Sequence, residues 1–104
     1  GGTNVRLLFN KLLKSYLHSL FRKKRKEMQL TQAEMAELLE MDIRSYSNID
    51  NGKSMCSTQT FILFLLHCKP DMDELLKELS ELWEKAKKNT AAWFTILRRE
   101  WGDL

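Results

Sequence analysis

The side chains best suited to chemistry lie between Thr31 and Lys53, and that chemistry is contact with another molecule. Two short amphipathic segments fill this stretch, separated by Glu40-Met41-Asp42. Helical periodicity turns one side of the second segment inward and leaves a polar face on the other side. That outward face consists of Ile43, Arg44, Ser47 and Asn48. It is broad enough to meet something outside the protein, and the stretch is predicted to fold as helix, turn, helix.

The sequence contains none of the common catalytic or metal-binding patterns. It has no HExxH, no glycine-rich phosphate loop and no Ser/His/Asp layout. His18 and His67 have no partners at ligand spacing, and Cys56 and Cys68 do not form a CxxC pair. The cysteines are predicted to be buried or idle thiols. We therefore expect no enzymatic activity, no cofactor and no metal site.

The charge is distributed unevenly along the chain. Residues 1–26 contain eight basic residues and no acidic one, whereas residues 27–104 contain nine basic and fourteen acidic residues. Five of the basic residues are consecutive, at positions 22–26. They form either a solvated last helical turn that complements the helix dipole, or a surface that faces phosphates. Charge alone leaves both interpretations open.

Length and composition indicate one all-α domain. A chain of 104 residues with 43% apolar content can bury one sizeable core, and its single proline and four glycines favour helices. We predict a core at about 15–70 with helical extensions at 4–14 and 71–104. No apolar run approaches the roughly 20 residues that span a bilayer, and the first 30 residues lack the layout of a signal peptide. A cytoplasmic protein without a membrane segment is expected.

The first helix is predicted from about Asn4 to Glu27. Its apolar residues recur at intervals of three and four, which places them on one stripe. The stripe consists of Val5, Leu8, Leu12, Leu13, Tyr16, Leu17, Leu20 and Phe21. The helix is long for a small domain, so it either breaks near Lys14-Ser15 or docks its early turns against the C-terminal segment or a second subunit. The sequence favours neither alternative.

Capping residues set the boundaries of the two short helices. Thr31 followed by Glu34 has the pattern of a capping box, so a helix should begin at Gln32 and end near Leu39 or Glu40. Asp42 should cap the next helix, which carries Tyr46 and Ile49 on its inward side. Asn51-Gly52 should end it in a left-handed conformation.

The spacing between Thr31 and Lys53 resembles that of the Cro/C1-type (XRE-like) helix-turn-helix family of phage repressors and small bacterial regulators. Residues 32–36 (QAEMA) are similar to its first-helix motif and residues 49–53 (IDNGK) to its closing motif. The resemblance covers about half the chain, from Phe21 to the region of Leu66. It implies a lambda-repressor-like fold within a bundle of five to six helices.

The resemblance also implies roles for individual residues in binding double-stranded DNA. Gln32, beside Thr31, matches a position that holds a backbone phosphate, and Asn51 and Lys53 match phosphate-contacting loop positions. Ile43, Arg44, Ser47 and Asn48 match the face of a recognition helix, at residues 42–50, that enters the major groove. Arginine can bind guanine, asparagine can bind adenine, and isoleucine can contact a thymine methyl group.

The resemblance further implies that Arg25 and Asp50 form an ion pair that braces the first helix against the third. Two residues depart from the family pattern. Glu40 replaces a glycine that often adopts a positive φ, at a cost on the order of 1 kcal/mol. Tyr46 is bulkier than the usual aliphatic residue, so it could tilt the recognition helix or leave its hydroxyl at the surface.

The C-terminal half is predicted to add helices. Phe61 to Leu66 should form a central helix that other helices cover on most sides, because its sequence FILFLL is apolar all round. Pro70 and the acidic residues after it should begin another helix. Apolar spacing from Leu75 to Trp101 fits two helices, with Thr90 capping the second, or one long bent helix.

Trp83, Trp93 and Trp101 either pack back on the first helix or form a dimer surface. A homodimer is expected, since palindromic operators match two-fold symmetry. The sequence as a whole predicts a transcriptional regulator that binds double-stranded DNA, and the resemblance implies a bacterial, phage or mobile-element setting. The alternative is an antitoxin-like or adaptor module that binds a protein partner through its Trp-rich C-terminal helix.

Overall fold

The computed structural model describes the backbone of residues 2–101 and the side chains of residues 4–90. Within this range the chain is helical and contains no strand, which confirms the predicted all-α class. The helices are α1 (Gly2–Glu27), α2 (Gln32–Leu38), α3 (Ile43–Asp50), α4 (Thr58–Cys68) and α5 (Met72–Trp101). None of the described helices is long and apolar enough to cross a membrane.

The chain divides into two compact units. One consists of Lys14–Met72, and the other combines the start of α1, up to Leu13, with the chain from Asp73 onward. α1 runs through the boundary between the units without the break considered at Lys14-Ser15. Whether the whole chain behaves as one domain stays a prediction.

The core of the Lys14–Met72 unit is built around Phe21, Phe64 and the inward faces of α2 and α3. Phe21 and Phe64 are fully buried and stack with their ring centroids 4.1 Å apart and their planes 13° from parallel. Met35 and Tyr46 are also completely buried, and Ile49 nearly so. The inward side predicted for α3 is therefore confirmed.

The predicted caps are present at both short helices. Thr31 Oγ1 accepts a hydrogen bond from the Glu34 amide at 3.1 Å, and the Thr31 amide donates to Glu34 Oε1 at 2.9 Å. These reciprocal bonds form the capping box and begin α2 at Gln32. Asp42 Oδ1 accepts from the Ser45 amide at 2.9 Å and begins α3 in the same way.

Four of the described helices are followed by a residue in the left-handed region. Gln29 (φ +60°), Glu40 (φ +54°), Gly52 (φ +78°) and Lys69 (φ +46°) follow α1, α2, α3 and α4. After α2, the Glu40 amide donates to the Glu37 carbonyl at 3.1 Å and the Met41 amide to the Ala36 carbonyl at 2.9 Å, a Schellman motif. Glu40 thus adopts a conformation that glycine favours, and after α3 the left-handed residue is Gly52 of the predicted Asn51-Gly52 cap.

The helix predicted at Phe61 to Leu66 is present as part of α4, but the prediction that other helices cover most of it is wrong. Ile62 and Leu66 are 47% and 60% exposed, whereas Phe64 is fully buried. The two exposed residues are four positions apart, so they lie on one stripe of α4. The apolar sequence predicted correctly that this segment is a helix. It did not indicate which side of the helix is buried.

In the other unit, Phe9 of α1 meets Trp83 of α5 edge to face, with ring centroids 5.2 Å apart. This contact agrees with the interpretation that Trp83 packs back on the first helix. α5 is one continuous helix, so Thr90 does not cap a separate one: its hydroxyl donates to the Ala86 carbonyl at 2.8 Å. The side chains of Trp93 and Trp101, on which the dimer prediction partly depends, lie outside the described residues.

Candidate nucleic-acid interface

A buried carboxylate, that of Asp50, lies behind the face predicted to contact DNA. Asp50 is the last residue of α3 and has no exposed surface. Its Oδ2 accepts from Arg25 Nε and from the Tyr46 hydroxyl, both at 2.8 Å, and its Oδ1 accepts from Gln32 Nε2 at 3.1 Å. Arg25 Nη2 adds a longer bond to Oδ1 at 3.3 Å. Residues of three helices therefore converge on one acidic group.

Charge and hydrogen bonding keep this carboxylate ionised. Burial by itself would raise the pKa of Asp50, but the hydrogen bonds from Arg25, Tyr46 and Gln32 outweigh burial and leave the pKa below its usual value. The hydrogen bond with Asp50 raises the pKa of Arg25. Burial and the adjacent carboxylate raise the pKa of the Tyr46 hydroxyl, so this group remains a donor.

Arg25 connects three parts of the fold. Its Nε and Nη2 atoms bind Asp50 at the end of α3, while its Nη1 donates to the Leu30 carbonyl at 2.9 Å, just before α2. Two donors from one guanidinium to one carboxylate give a planar, directional pair that lysine could not reproduce. The pair therefore fixes the end of α3 and the start of α2 relative to α1.

Tyr46 fits this arrangement without reaching the surface. Its side chain is completely buried and its hydroxyl donates to Asp50 one helical turn later. The possibility that the hydroxyl lies at the protein surface is therefore wrong. The larger residue supplies a donor to a carboxylate that would otherwise have one bond fewer.

His18 has a role that the sequence did not indicate. Its Nδ1 lies 2.6 Å from the Asp50 carbonyl oxygen, so the ring donates to the end of α3. A Cβ atom added at Gly52 would lie 3.3 Å from the His18 ring, which means that the ring packs directly on the turn after α3. The sequence did contain one indication of this contact. His18 and Arg25 are seven residues apart, so they lie on the same face of α1.

The C-terminal end of α3 is fully paired. The Gly52 amide donates to the Ile49 carbonyl at 3.1 Å, and the Lys53 amide to the Asn48 carbonyl at 2.8 Å. Together with the bond from His18 to the Asp50 carbonyl, these contacts occupy the acceptors that a helix normally leaves open. The position of Lys53 relative to α3 is therefore set by backbone hydrogen bonds.

The residues predicted to read base edges lie together on the outer side of α3. Ile43 is 54% exposed, Arg44 is also exposed, and Ser47 and Asn48 are half-buried. The one acidic residue within α3 is Asp50, which is buried and paired with Arg25. The outer side consequently carries a positive charge from Arg44 and no carboxylate from the helix itself.

The residues predicted to contact phosphate differ in whether their side chains already form hydrogen bonds within the protein. Thr31 uses its hydroxyl in the cap of α2, and Lys53 is exposed. Gln32 Nε2 donates to Asp50 Oδ1 and, at 3.4 Å, to Asn51 Oδ1, so both amide hydrogens have acceptors within the protein. A phosphate bound by Gln32 would have to take over the hydrogen that Asn51 accepts.

The five basic residues at the end of α1 also differ in whether their side chains are paired within the protein. Arg25 is used internally, and Lys24 lies 3.8 Å from Glu27. Arg22, Lys23 and Lys26 are exposed. The surface available to a polyanion therefore consists of these three side chains rather than of all five basic residues.

Comparison of the chain with protein-family models, with curated proteins and with solved structures gives no match in any of the three. Among the residues whose side chains are described, no group of three or more His, Cys, Asp or Glu residues could hold a metal ion. The functional assignment accordingly depends on the geometry of α1, α2 and α3.

Proposed function

We propose that this protein binds double-stranded DNA, with α3 entering the major groove, and regulates transcription. The observation that carries the proposal is the two-sided character of α3. Its inner side, with Tyr46, Ile49 and Asp50, is buried and fixed, whereas its outer side, with Arg44 and Ile43, is exposed. A rigid helix with an exposed polar side is suited to contact with base edges.

Electrostatics support the same proposal. A protein that binds DNA must present cations to the phosphates and must keep carboxylates away from them. Arg22, Lys23 and Lys26 are exposed near the end of α1, and Lys53 is exposed just after α3. Within Ile43–Asp50 the one carboxylate is that of Asp50, and its pairing with Arg25 removes it from the surface. The exposed carboxylate of Asp42, before the helix, accepts hydrogen bonds from the Ser45 amide and hydroxyl. The resemblance of residues 31–53 to Cro/C1-type proteins adds a precedent for this arrangement.

A salt titration with random-sequence duplex DNA tests the proposal. If the four exposed cations each neutralise one phosphate, affinity should fall on the order of 100-fold between 50 and 200 mM salt. Lys26→Ala should flatten this dependence by about one phosphate contact, whereas Lys85→Ala, an exposed lysine of α5, should leave it unchanged. Absence of duplex binding at low salt would rule the proposal out.

Two variants separate sequence reading from phosphate contact. Arg44→Ala should reduce the preference for one base pair, because an arginine that binds guanine in two places contributes about 1–3 kcal/mol of discrimination. Lys53→Ala should weaken binding to all duplexes alike, since phosphates carry no sequence information. Equal losses on all sequences for both variants would contradict the roles given to these residues.

The same scaffold could instead bind a protein partner. Ile62 and Leu66 on α4 are exposed apolar side chains. Such residues can anchor a protein interface. That function would give little dependence on salt and no preference among duplexes, so the titration distinguishes the two classes. The exposed polar side of α3, held in place by the buried inner side of the same helix, favours the DNA-binding function.

A further inference from the structure

We propose that two copies of this chain pair through α5, with the two α5 helices antiparallel and a two-fold axis at Ser80. The surface that forms this contact is a row of exposed side chains, which we call the Ser80 stripe. It consists of Asp73, Leu76, Ser80, Trp83 and Lys87. The inference does not depend on DNA binding, because the proposed function does not use this side of α5. The partner is a second copy because the stripe is complementary to itself.

The five residues of the Ser80 stripe share one side of α5. They follow one another at intervals of three and four residues, so with about 3.6 residues per turn they lie within roughly 80° of arc. The buried residues Leu75 and Ala86 lie on a different side of the helix, roughly 100° away from the middle of the stripe. The Ser80 stripe is therefore separate from the side of α5 that forms the core.

Two large apolar side chains of the stripe are exposed to solvent. Leu76 is 61% exposed and Trp83 is 37% exposed. The Trp83 ring also meets Phe9 edge to face, with centroids 5.2 Å apart, and this contact restricts the ring while part of it remains exposed. An aromatic and an aliphatic side chain on one exposed side of a helix are suited to anchor a helix–helix interface, since their burial removes apolar surface from water.

The positions of these anchors match a two-fold axis at Ser80. In a two-fold dimer, a residue that contacts a second residue of the partner is itself matched by the reverse contact. Leu76 comes four residues before Ser80 and Trp83 three residues after it. In an antiparallel pair, Leu76 of each copy therefore lies against the partner's Trp83. The small side chain of Ser80 lets the two helices approach at the axis, toward the lower end of the usual interaxial distance of about 8–10 Å.

The charged ends of the stripe match the same axis. Asp73 comes seven residues before Ser80 and Lys87 seven residues after it, so the axis brings these opposite charges together twice. The Lys87 side chain is 47% exposed, and its Nζ lies 6.0 Å from the centre of the Trp83 ring, beside the apolar part of the stripe. A parallel pair would instead place aspartate against aspartate and lysine against lysine. Charge therefore favours the antiparallel arrangement.

The residues around the stripe show the same complementarity. Residues 72–78 contain three acidic residues and one basic residue, whereas residues 82–88 contain three basic residues and one acidic residue. An axis at Ser80 sets these two segments against each other, with opposite net charges. The dipole of α5 itself also favours acidic residues first and basic residues later. The dipole does not, however, require Leu76 and Trp83 to be exposed on one side, whereas a second copy accounts for both features.

Sedimentation velocity over a range of protein concentrations tests the apolar part of the interface. The wild-type chain should show an equilibrium between monomer and dimer. Leu76→Ala should raise the dissociation constant of the dimer by about tenfold or more, because each dimer loses two anchors. Leu66→Ala is the matched control, since Leu66 is 60% exposed on α4 and lies outside the stripe, and this variant should associate like wild type.

Charge reversal tests the orientation of the two helices. Asp73→Lys alone and Lys87→Asp alone each set like charges against each other at both ends of the stripe, so each variant should dimerise about 10- to 100-fold more weakly than wild type. An equimolar mixture of the two variants should regain dimers, because every lysine then faces an aspartate of the other variant. Glu81→Lys and Lys85→Asp make the same charge changes at exposed positions on other sides of α5, and neither should change the association.

Recovery in the mixture cannot be explained by a change in folding, since neither variant dimerises well by itself. The proposal is overturned if the wild-type chain remains monomeric up to about 1 mM, a result that would leave the Ser80 stripe to a different partner. It is also overturned if Leu76→Ala and Leu66→Ala weaken the dimer equally, or if neither charge reversal weakens it. A mixture of Asp73→Lys and Lys87→Asp that stays monomeric would overturn the antiparallel pairing.

Discussion

Replacing the buried carboxylate of Asp50 should destabilise the protein strongly, even though the substitution changes the side-chain volume very little. Asp50→Asn keeps the volume but removes the charge that pairs with Arg25, whose side chain is 12% exposed. Removing one partner of a buried pair typically costs about 3–5 kcal/mol. Since Arg25 retains some contact with water and its bond to the Leu30 carbonyl, we expect about 3 kcal/mol. That loss corresponds to a fall in melting temperature of roughly 15 °C for a chain of this size.

The loss should depend on pH. The pKa of Asp50 is lower in the folded protein than in the unfolded chain, so the unfolded chain binds the proton first as the pH falls. The stabilisation is complete above the usual pKa of an aspartate, about 4, and disappears as the pH falls through the lower folded value. The difference in stability between wild type and Asp50→Asn should therefore be constant near neutral pH and should shrink in acid.

Urea unfolding followed by far-ultraviolet circular dichroism, at neutral pH and in acid, measures both effects. Asp73→Asn is the matched control, because Asp73 is exposed in the first turn of α5 and should contribute less than about 1 kcal/mol. An Asp50→Asn protein within 1 kcal/mol of wild type at neutral pH would refute the view that this carboxylate holds α1, α2 and α3 together.

The same unfolding assay checks three further expectations. Glu40→Gly should stabilise the protein by about 1 kcal/mol, because Glu40 is left-handed, whereas Glu37→Gly inside α2 should cost about 1 kcal/mol; losses in both would contradict this. Phe64→Ala should cost about 3–5 kcal/mol and Leu66→Ala less than about 0.5 kcal/mol, and similar losses would mean that Leu66 is covered after all. Gly52→Ala should cost about 1–2 kcal/mol, since its φ is +78° and the His18 ring lies against it; a neutral result would show that the turn can rearrange.

Features that depend on neighbouring residues could be predicted from the sequence. The caps at Thr31 and Asp42 appear as expected, because a cap requires only a short side chain and an amide two or three residues away. The helical type of α4 followed from its composition and length. Glu40 was expected to strain or alter its turn, and it adopts a positive φ.

Features that depend on packing between helices could not be predicted in the same way. The exposure of Leu66 depends on which side of α4 meets its neighbours, and an apolar sequence does not specify that side. The contact of His18 with the Asp50 carbonyl joins residues 32 positions apart. The use of both Gln32 amide hydrogens within the protein depends on where Asp50 and Asn51 come to lie.

Selection of bound duplexes from a random-sequence library, at low salt, tests DNA recognition by α3 most directly. We expect enrichment of one sequence, with its two half-sites about one helical turn apart if the protein acts as a dimer. Arg44→Ala should relax the enrichment at one position of each half-site, because the exposed guanidinium is the side chain best suited to bind guanine. A library that remains random after selection with the wild-type protein would contradict the proposal that α3 reads DNA.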